Sequence, residues 1–365
     1  MHRISIFLPS LRGGGAERSI LTLANAFSKR GLSVDLVLAK KEGPFLRDVE
    51  PSVRVIDLGA SRVLASLPGL VRYIRREHPN AIISALSHAN VIAIWARQLA
   101  AVPTRLIVTE RNTLTRWSEA TPLRRARLMP FFMRLSYRKA DAVVAVSGGV
   151  ADDLATAIGF PREHISVIYN PVVTPELIER SGETLHHPWF EFGAAPVILA
   201  AGRLNHQKDF ATLIRAFAQV RLQRLTRLVI LGEGETRNAL QTQVSDLGLG
   251  QDVLLPGFIS NPYPWMRRAA VFVLSSRWEG LPGVLIQAMA CGTPVISTDC
   301  PSGPIEILAQ GKWGRLVPVG NAAALAEAII ATLDEDNHPD VASRAKEFSL
   351  EVAVTAYLRI LQAGA

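Results

Sequence analysis

The sequence predicts an α/β protein built from two doubly wound, parallel-sheet units in tandem. Apolar runs of strand type alternate with helical patterns through the first half of the chain, and such strands are typical of parallel sheets that helices cover on both faces. The alternation stops in a polar, proline-punctuated tract at 174–196 and then restarts. With 365 residues, 48% of them hydrophobic, the chain is long enough for two cores.

Each half supplies the elements of one unit. In the first half we predict strands at 4–8, 34–38, 53–58, 81–86, 106–109, 142–146 and 165–168. The first predicted helix follows the loop 11–18, has its apolar residues between Ile20 and Phe27 and ends at Gly31; the others lie at 64–77, 91–100, 122–138 and 149–158. In the second half we predict strands at 197–201, 227–231, 253–255, 271–274, 295–297 and 316–319, and helices at 209–220, 236–247, 263–270, 322–333 and 350–363, with a short one opening at Gly283 or Val284.

These elements predict the domain organisation. The first domain is expected at 1–185 and the second at 186–349, with a final helix at 350–365 that is able to cross back to the first. Doubly wound sheets bind ligands outside the carboxyl ends of their strands. Two of them therefore predict a cleft that both sheets face, a suitable place for a transfer between two substrates.

Several protein classes are excluded by the sequence. The amino-terminal apolar run ends at Arg12 and is too short for the hydrophobic region of a signal peptide. No segment approaches the roughly 20 apolar residues that cross a bilayer, so we expect a cytoplasmic protein. Cys291 and Cys300 have no His or Cys neighbours at zinc-ligand spacing and are expected to be small core residues.

The positive charge is concentrated in the first domain. The net charge of +8 comes entirely from residues 1–185. It is densest between Arg105 and Lys139, where basic residues alternate with apolar ones such as Phe131 and Phe132; the basic residues at its centre are Arg124, Arg125, Arg127, Arg134, Arg138 and Lys139. This pattern suits an anionic membrane surface. Two other readings are a core-facing amphipathic helix and, given a pI near 9.9, nucleic-acid binding; no nucleic-acid motif is present, so we expect no nucleic-acid partner.

The stretch 271–299 predicts an anion site. A strand ends in two serines, a Gly/Pro turn follows Glu279, and a short helix begins directly afterwards. Unpaired N–H groups at a helix start and the positive end of the helix dipole favour a phosphate there. Gln287 lies eight residues after Glu279 on the same helix, so both side chains can reach one ligand. The alternative is an ordinary helix cap.

Two further loops follow predicted first strands. Arg203 and Lys208 come after the first strand of the second half, where two cations can neutralise a diphosphate without a metal, although surface cations on a loop are an alternative. Gly13, Gly14 and Gly15 follow the first strand of the chain. They match neither G-x-G-x-x-G nor a Walker loop, but three glycines permit close approach of the backbone to a ligand, unless they form only a tight turn.

In combination these segments resemble family 4 of the retaining glycosyltransferases with the GT-B fold. The matching pieces are GGGAE, YNP, GRL with QKD, EGLPGVLIQAMACGTPVI and PSGPIEIL, spread over nearly the whole chain. They are most similar to the bacterial branch that builds lipopolysaccharide, capsule and other lipid-linked glycans. The family motif is E-x7-E, and this chain has Gln287 at the second position, where an amide lacks charge assistance in binding a ribose.

The resemblance implies a role for each candidate residue. Glu279 contacts the donor sugar, Gln287 the ribose, and Arg203 and Lys208 the diphosphate. The remaining donor-binding residues are expected to be Gly13, Gly14, Gly15, Gly202, Gly232, Gly257, Phe258, Gly280, Leu281, Pro282, Gly283 and Val284. On the acceptor and sugar side the candidates are His88 and Glu110, Arg111 and Asn112, the last three standing where many relatives have a His.

The resulting hypothesis is a retaining, metal-independent transfer. The expected donor is a nucleoside diphosphate sugar, UDP-HexNAc or UDP-hexose, and the acceptor a lipid-linked saccharide, lipopolysaccharide or polysaccharide at the cytoplasmic membrane face. We expect no cofactor and no metal site, because the one acidic triplet, Asp334-Glu335-Asp336, follows a helix and is typical of solvated charge. The alternatives are a sugar-nucleotide 2-epimerase of the same fold and a binding protein weakened in catalysis by Gln287.

Overall fold

The computed structural model describes residues 3–12, 14–115 and 128–363. The chain forms two compact units, which we call the first unit and the second unit. The first contains Met1–Pro171 together with Leu350–Ala365, and the second contains Val172–Ser349. Each unit has its own hydrophobic core, as predicted from the alternation of strands and helices that starts again after residue 196.

The described residues of the first unit form a seven-stranded parallel sheet. Its strands are β1 (Arg3–Leu8), β2 (Ser33–Leu38), β3 (Arg54–Asp57), β4 (Ala81–Ala85), β5 (Arg105–Glu110), β6 (Ala142–Ala145) and β7 (Ile165–Val167). Their order across the sheet is β3-β2-β1-β4-β5-β6-β7. The central strands are buried along nearly their whole length, which explains their continuous apolar sequence.

Helices cover this sheet. They are α1 (Gly15–Lys29), α2 (Leu67–Glu77), α3 (Ser87–Ala100), α4 (Met129–Ser136), α5 (Gly148–Ile158) and, at the end of the chain, α14 (Leu350–Gln362). Helix α14 packs against α1, and its Ala353, Val354 and Tyr357 belong to the same core as Phe27. The last helix therefore folds with the first unit.

The second unit contains a six-stranded parallel sheet. Its strands are β8 (Val197–Ala201), β9 (Arg227–Leu231), β10 (Val253–Gly257), β11 (Val271–Leu274), β12 (Val295–Thr298) and β13 (Arg315–Val317), in the order β10-β9-β8-β11-β12-β13. Its helices are α6 (Pro175–Ser181), α7 (Phe210–Gln223), α8 (Arg237–Asp246), α9 (Tyr263–Arg268), α10 (Gly283–Ala290), α11 (Pro304–Ile307), α12 (Ala322–Leu333) and α13 (Val341–Ala345).

Both sheets reverse their strand order at one place. The reversal lies between β1 and β4 in the first unit and between β8 and β11 in the second. At such a switch point the loops after the two strands diverge and leave a crevice for a ligand. The loops that follow β8 and β11 contain Arg203, Lys208 and Glu279, so the fold places these predicted residues at one crevice.

The predicted fold class is confirmed, and the two compact units divide earlier in the chain than the domain boundary that we predicted. The contact-defined division lies at 171/172, earlier than Leu185. Residues 174–185 belong to the polar tract predicted as a linker, but they include α6, which packs against α9. The amide of Asn261 also donates to Arg180 O at 3.1 Å. Packing contacts between distant segments, which a local pattern does not reveal, attach this tract to the second unit.

Two predicted features fall on residues that the structure does not describe. The first is Gly13. The second is the start of the helix predicted at 122–138, with Arg124, Arg125 and Arg127, which lies within the undescribed residues 116–127. The described part of that helix begins at Met129. Three short helices that we did not predict, α6, α11 and α13, begin after Thr174, Gly303 and Asp340.

Candidate active site

The loops after β8 and β11 are joined by several hydrogen bonds. The backbone N–H of Arg277 donates to Gln207 O at 2.8 Å, and the Gln207 amide donates in return to Trp278 O at 2.9 Å. The hydroxyl of Ser275 donates to Lys208 O at 2.8 Å. These reciprocal bonds hold the two sides of the switch point in a fixed spacing.

Within this framework Lys208 and Glu279 form an ion pair. Lys208 Nζ lies 2.5 Å from Glu279 Oε1, and Ser276 Oγ donates to the same oxygen at 2.6 Å. Glu279 is 7% exposed, and burying a carboxylate is costly unless it is paired and hydrogen-bonded. The structure thus brings two predicted residues together, and it makes Lys208 the partner of a carboxylate as well as a candidate for contact with a diphosphate.

Arg203 differs from Lys208. Its side chain is exposed, and within the described ranges it has neither an ion pair nor a hydrogen bond. A guanidinium presents five N–H donors in a planar fork that matches a phosphate. Because the Lys208 charge is balanced by Glu279, Arg203 supplies the uncompensated positive charge on this pair of loops.

The glycines predicted to bind the donor lie side by side at the carboxyl ends of β8, β9 and β10. The N–H of Gly202 donates to Leu231 O at 2.9 Å, and that of Gly232 donates to Gly257 O at 2.8 Å. Gly232 has φ +135°, and a Cβ there would lie 2.0 Å from Gly202 O. A side chain cannot be accommodated at this position. Phe258, which follows β10, is exposed.

The turn from Gly280 to Pro282 leads into α10, whose first residues are Gly283 and Val284. The loop after β12 supports it, since Ser302 Oγ donates to Gly280 O at 3.0 Å. Gly303 has φ +84°, and a Cβ on it would lie 2.6 Å from Pro282 Cδ. Gln287 is half-buried on α10, and its side chain makes no hydrogen bond to the part of the chain that the structure describes.

Sequence reasoning missed several residues that shape this site. Ser276 holds Glu279, and Thr298 Oγ1 from β12 donates to Ser276 O at 2.5 Å. Asp209 has φ +47°, an uncommon value for a residue other than glycine. Its Oδ2 lies 3.1 Å from Arg277 Nε. The sequence feature that could have indicated Ser276 is the pair of serines that follows the apolar strand β11.

In the first unit the structure places Glu110 inside the fold. The carboxylate accepts from Ser87 Oγ at 2.8 Å, from Asn90 Nδ2 at 2.8 Å and from the hydroxyl of Tyr137. Burial raises the pKa of Glu110, and these hydrogen bonds counteract the rise. The side chain is therefore bound by the unit's own groups, and its predicted contact with an acceptor or sugar stays a prediction.

Arg111 is also buried, on the side of α14. It donates to Asn170 Oδ1 and, at 3.4 Å, to the Tyr357 hydroxyl, and burial lowers the pKa of its guanidinium. Asn112, by contrast, is exposed, and His88 is half-buried, with a pKa that burial lowers. Of the four residues predicted for the acceptor side, Asn112 and His88 are the ones that remain accessible.

The acidic triplet lies at the end of α12. Asp334 is paired with Arg224 at 2.5 Å and Glu335 with Arg315, and all three acidic side chains are exposed. In the part of the chain that the structure describes, no group of three or more His, Cys, Asp and Glu residues is arranged to hold a metal ion.

Comparison with known families decides the classification. Residues 13–175 match the description "Glycosyltransferase Family 4", and residues 195–335 match "Glycosyl transferases group 1". The two matches cover most of both units. The chain belongs to glycosyltransferase family 4. The predicted family and enzyme class are thereby confirmed, and the chain is a glycosyltransferase.

Two relatives of this glycosyltransferase match more than nine-tenths of its length. It is 31% identical to the N-acetylgalactosamine-N,N'-diacetylbacillosaminyl-diphospho-undecaprenol 4-alpha-N-acetylgalactosaminyltransferase of Campylobacter jejuni, over 92% of this chain and 91% of that protein. It is also 31% identical to the lipopolysaccharide core biosynthesis glycosyltransferase LpsE of Rhizobium meliloti, over 96% of each. The similarity is thus to enzymes of lipopolysaccharide and other lipid-linked glycan synthesis.

Solved structures confirm the GT-B fold of this glycosyltransferase. The Anabaena protein Alr3699/HepE in complex with UDP is 22% identical, with a TM-score of 0.80 and full coverage of both chains. The apo form of the lipopolysaccharide outer core galactosyltransferase WaaB is 19% identical, with a TM-score of 0.76 and the same coverage.

Proposed function

We propose that this glycosyltransferase moves a sugar from a UDP-sugar, a hexose or N-acetylhexosamine, to a lipid-linked or polysaccharide acceptor with retention of the anomeric configuration. The observation that supports it most is the ion pair of Lys208 and Glu279 beside an exposed Arg203 at the switch point of the second unit. The names of the relatives from Campylobacter and Rhizobium support the acceptor class, and the UDP in the Anabaena structure supports the nucleotide.

The donor diphosphate is the group that most needs stabilisation. In the transfer, the bond from the anomeric carbon to the phosphate oxygen breaks and negative charge grows on the departing UDP. In our proposal Arg203 and the N–H groups that open α10 stabilise this charge electrostatically, and Lys208 adds a hydrogen bond while it keeps its contact with Glu279. An ammonium has three donors, so one lysine can serve both groups.

Glu279 acts on the sugar in this proposal, where its carboxylate accepts hydrogen bonds from ring hydroxyls and orients the anomeric carbon. The acceptor hydroxyl attacks from the face that the phosphate leaves, and its proton passes to the departing phosphate oxygen. Gly232, Gly257 and Phe258 surround the base, and Gln287 binds the ribose. No separate general base is required in this scheme.

The transfer is tested with purified protein, a panel of UDP-sugars and a diphospho-undecaprenol glycan acceptor, with product anomericity read by NMR. Arg203→Gln should lower kcat/KM about a hundredfold, because an electrostatic contact to developing charge is lost. The matched control is Lys312→Gln, which removes an exposed cation elsewhere in the second unit. Equal activity of Arg203→Gln and the control, or an inverted product, would refute the proposal.

We also propose that the first unit docks on the anionic cytoplasmic face of the membrane. The outer face of α4 is apolar, since Phe131 is 57% and Leu135 58% exposed while Met133 points inward and is buried. Leu128 and Phe132 extend this face with the spacing of one helix stripe. Exposed Arg134 and Arg138 flank it, and neither has an ion pair with any residue that the structure describes.

An apolar stripe between exposed cations fits the boundary between lipid headgroups and acyl chains. Every helix within the described ranges is too short or too polar to cross a bilayer. Sedimentation with vesicles of phosphatidylglycerol at low salt should recover the wild type and lose Phe131→Ser. The control Leu225→Ser changes an apolar residue of the second unit that is also 57% exposed. Equal binding to neutral and anionic vesicles would remove the docking proposal.

A further inference from the structure

The two carboxylate oxygens of Glu279 have unequal surroundings. Oε1 accepts from both Lys208 Nζ at 2.5 Å and Ser276 Oγ at 2.6 Å. No described group donates to Oε2, yet this oxygen is not among the fully buried polar atoms that lack a partner. One oxygen is therefore held by two protein donors, and the other has none within the described ranges.

Ser276 is itself held firmly. It is fully buried, two residues after the end of β11, and its carbonyl accepts from Thr298 Oγ1 on the neighbouring strand at 2.5 Å. A serine hydroxyl has a single proton to donate, and here that proton is directed at Glu279. The side chain is short and attached to a strand end, so its donor position is defined by the sheet.

We propose that Ser276 is a positioning residue that orients Glu279 for the donor sugar. This inference rests on the proposed function, in which Glu279 contacts the sugar. Lys208 supplies charge but little direction, because its ammonium sits on a flexible stem with rotatable donors. With Ser276 bound to Oε1, the carboxylate cannot rotate freely, and Oε2 keeps one direction.

This role predicts which step depends on the hydroxyl. Replacing Ser276 by alanine leaves Lys208, Glu279 and Arg203 in place, so the charge that meets the diphosphate is unchanged. The carboxylate loses one of its two tethers, and small errors in the position of a reacting group are costly in rate. The loss should therefore appear in turnover and not in the binding of UDP alone.

The test compares Ser276→Ala with Ser181→Ala, which removes a hydroxyl of similar burial that donates to Ile178 O at 2.7 Å, away from the site. We expect kcat for sugar transfer to fall about tenfold in Ser276→Ala, with UDP affinity by calorimetry and the melting temperature close to those of the control. Ser276→Thr, which keeps the hydroxyl, should recover most of kcat.

Three results would overturn the inference. They are a kcat of Ser276→Ala equal to that of the control, a parallel loss of UDP affinity and kcat, and Ser276→Thr as impaired as Ser276→Ala. A wild-type protein that neither binds UDP nor transfers sugar would refute the proposed function itself. Normal transfer by the wild type and Ser276→Ala alike would refute only the role of Ser276.

Discussion

The ion pair of Lys208 and Glu279 should make a measurable contribution to the stability of the second unit. The perturbation is Lys208→Met, which keeps the length of the side chain but leaves the Glu279 carboxylate, at 7% exposure, without its cation. Removing one partner of a buried pair typically costs about 3 to 5 kcal/mol. Ser276 still donates to the same oxygen, so the expected cost is about 2 to 3 kcal/mol.

For a unit of this size, that cost lowers the melting temperature by roughly 4 to 12 °C. The assay is urea and thermal unfolding of the ligand-free protein, with Lys312→Met as a control for loss of an exposed lysine. The double variant Lys208→Met with Glu279→Gln removes both charges together. The double variant should recover much of the lost stability, because the buried side chain at position 279 is then a neutral amide.

This comparison of single and double variants can refute the coupling between Lys208 and Glu279. If Lys208→Met is as stable as Lys312→Met, or if the double variant is no more stable than Lys208→Met alone, then the two charges are not coupled in the folded protein. In that case Lys208 and Glu279 would not form an ion pair in solution. The proposal that one lysine serves both the carboxylate and the diphosphate would then lose its structural basis.

Three further predictions concern other residues. Burial raises the pKa of Glu110 in the folded state, so its contribution to stability is present below the unfolded pKa and is lost as pH rises through the folded one. The stability of the wild type relative to Glu110→Gln, which does not titrate, should therefore fall as pH rises through this range in urea titrations. Tyr357→Phe removes a long hydrogen bond to Arg111 and should cost about 1 kcal/mol in the same assay. Gln287→Glu restores the charge of the family motif and should tighten UDP binding up to about tenfold by calorimetry; unchanged affinity would remove Gln287 from the ribose site.

The sequence predicted the sheets well because their signal is local. Every strand from β1 to β13 lies within a predicted apolar run or overlaps it, since strands covered on both faces must be apolar throughout. The glycines after β8, β9 and β10 were also recognisable. Gly232, for example, is required because the backbone at Gly202 approaches within contact distance.

The side chains of Glu110 and Arg111 show where such reasoning stops. Both are charged residues at the end of a parallel strand, the place where ligands usually bind. Their hydrogen-bond partners come from elements distant in sequence, Tyr137 for Glu110 and both Asn170 and Tyr357 for Arg111. No spacing rule connects these positions, so local pattern alone does not distinguish a ligand-facing charge from a buried, satisfied one.

The same comparison supports the proposal that the donor binds at the crevice of the second unit. At β5 the charges are enclosed, and neutral hydroxyls and amides satisfy them within the unit. At β8 and β11 one cation is exposed without a partner in the described ranges, and one carboxylate oxygen of Glu279 has no donor there. A ligand that pairs with these groups when it binds the folded protein would stabilise it. A nucleoside diphosphate sugar supplies an anion for Arg203 and hydroxyl donors for Glu279, so binding it would satisfy both groups at once.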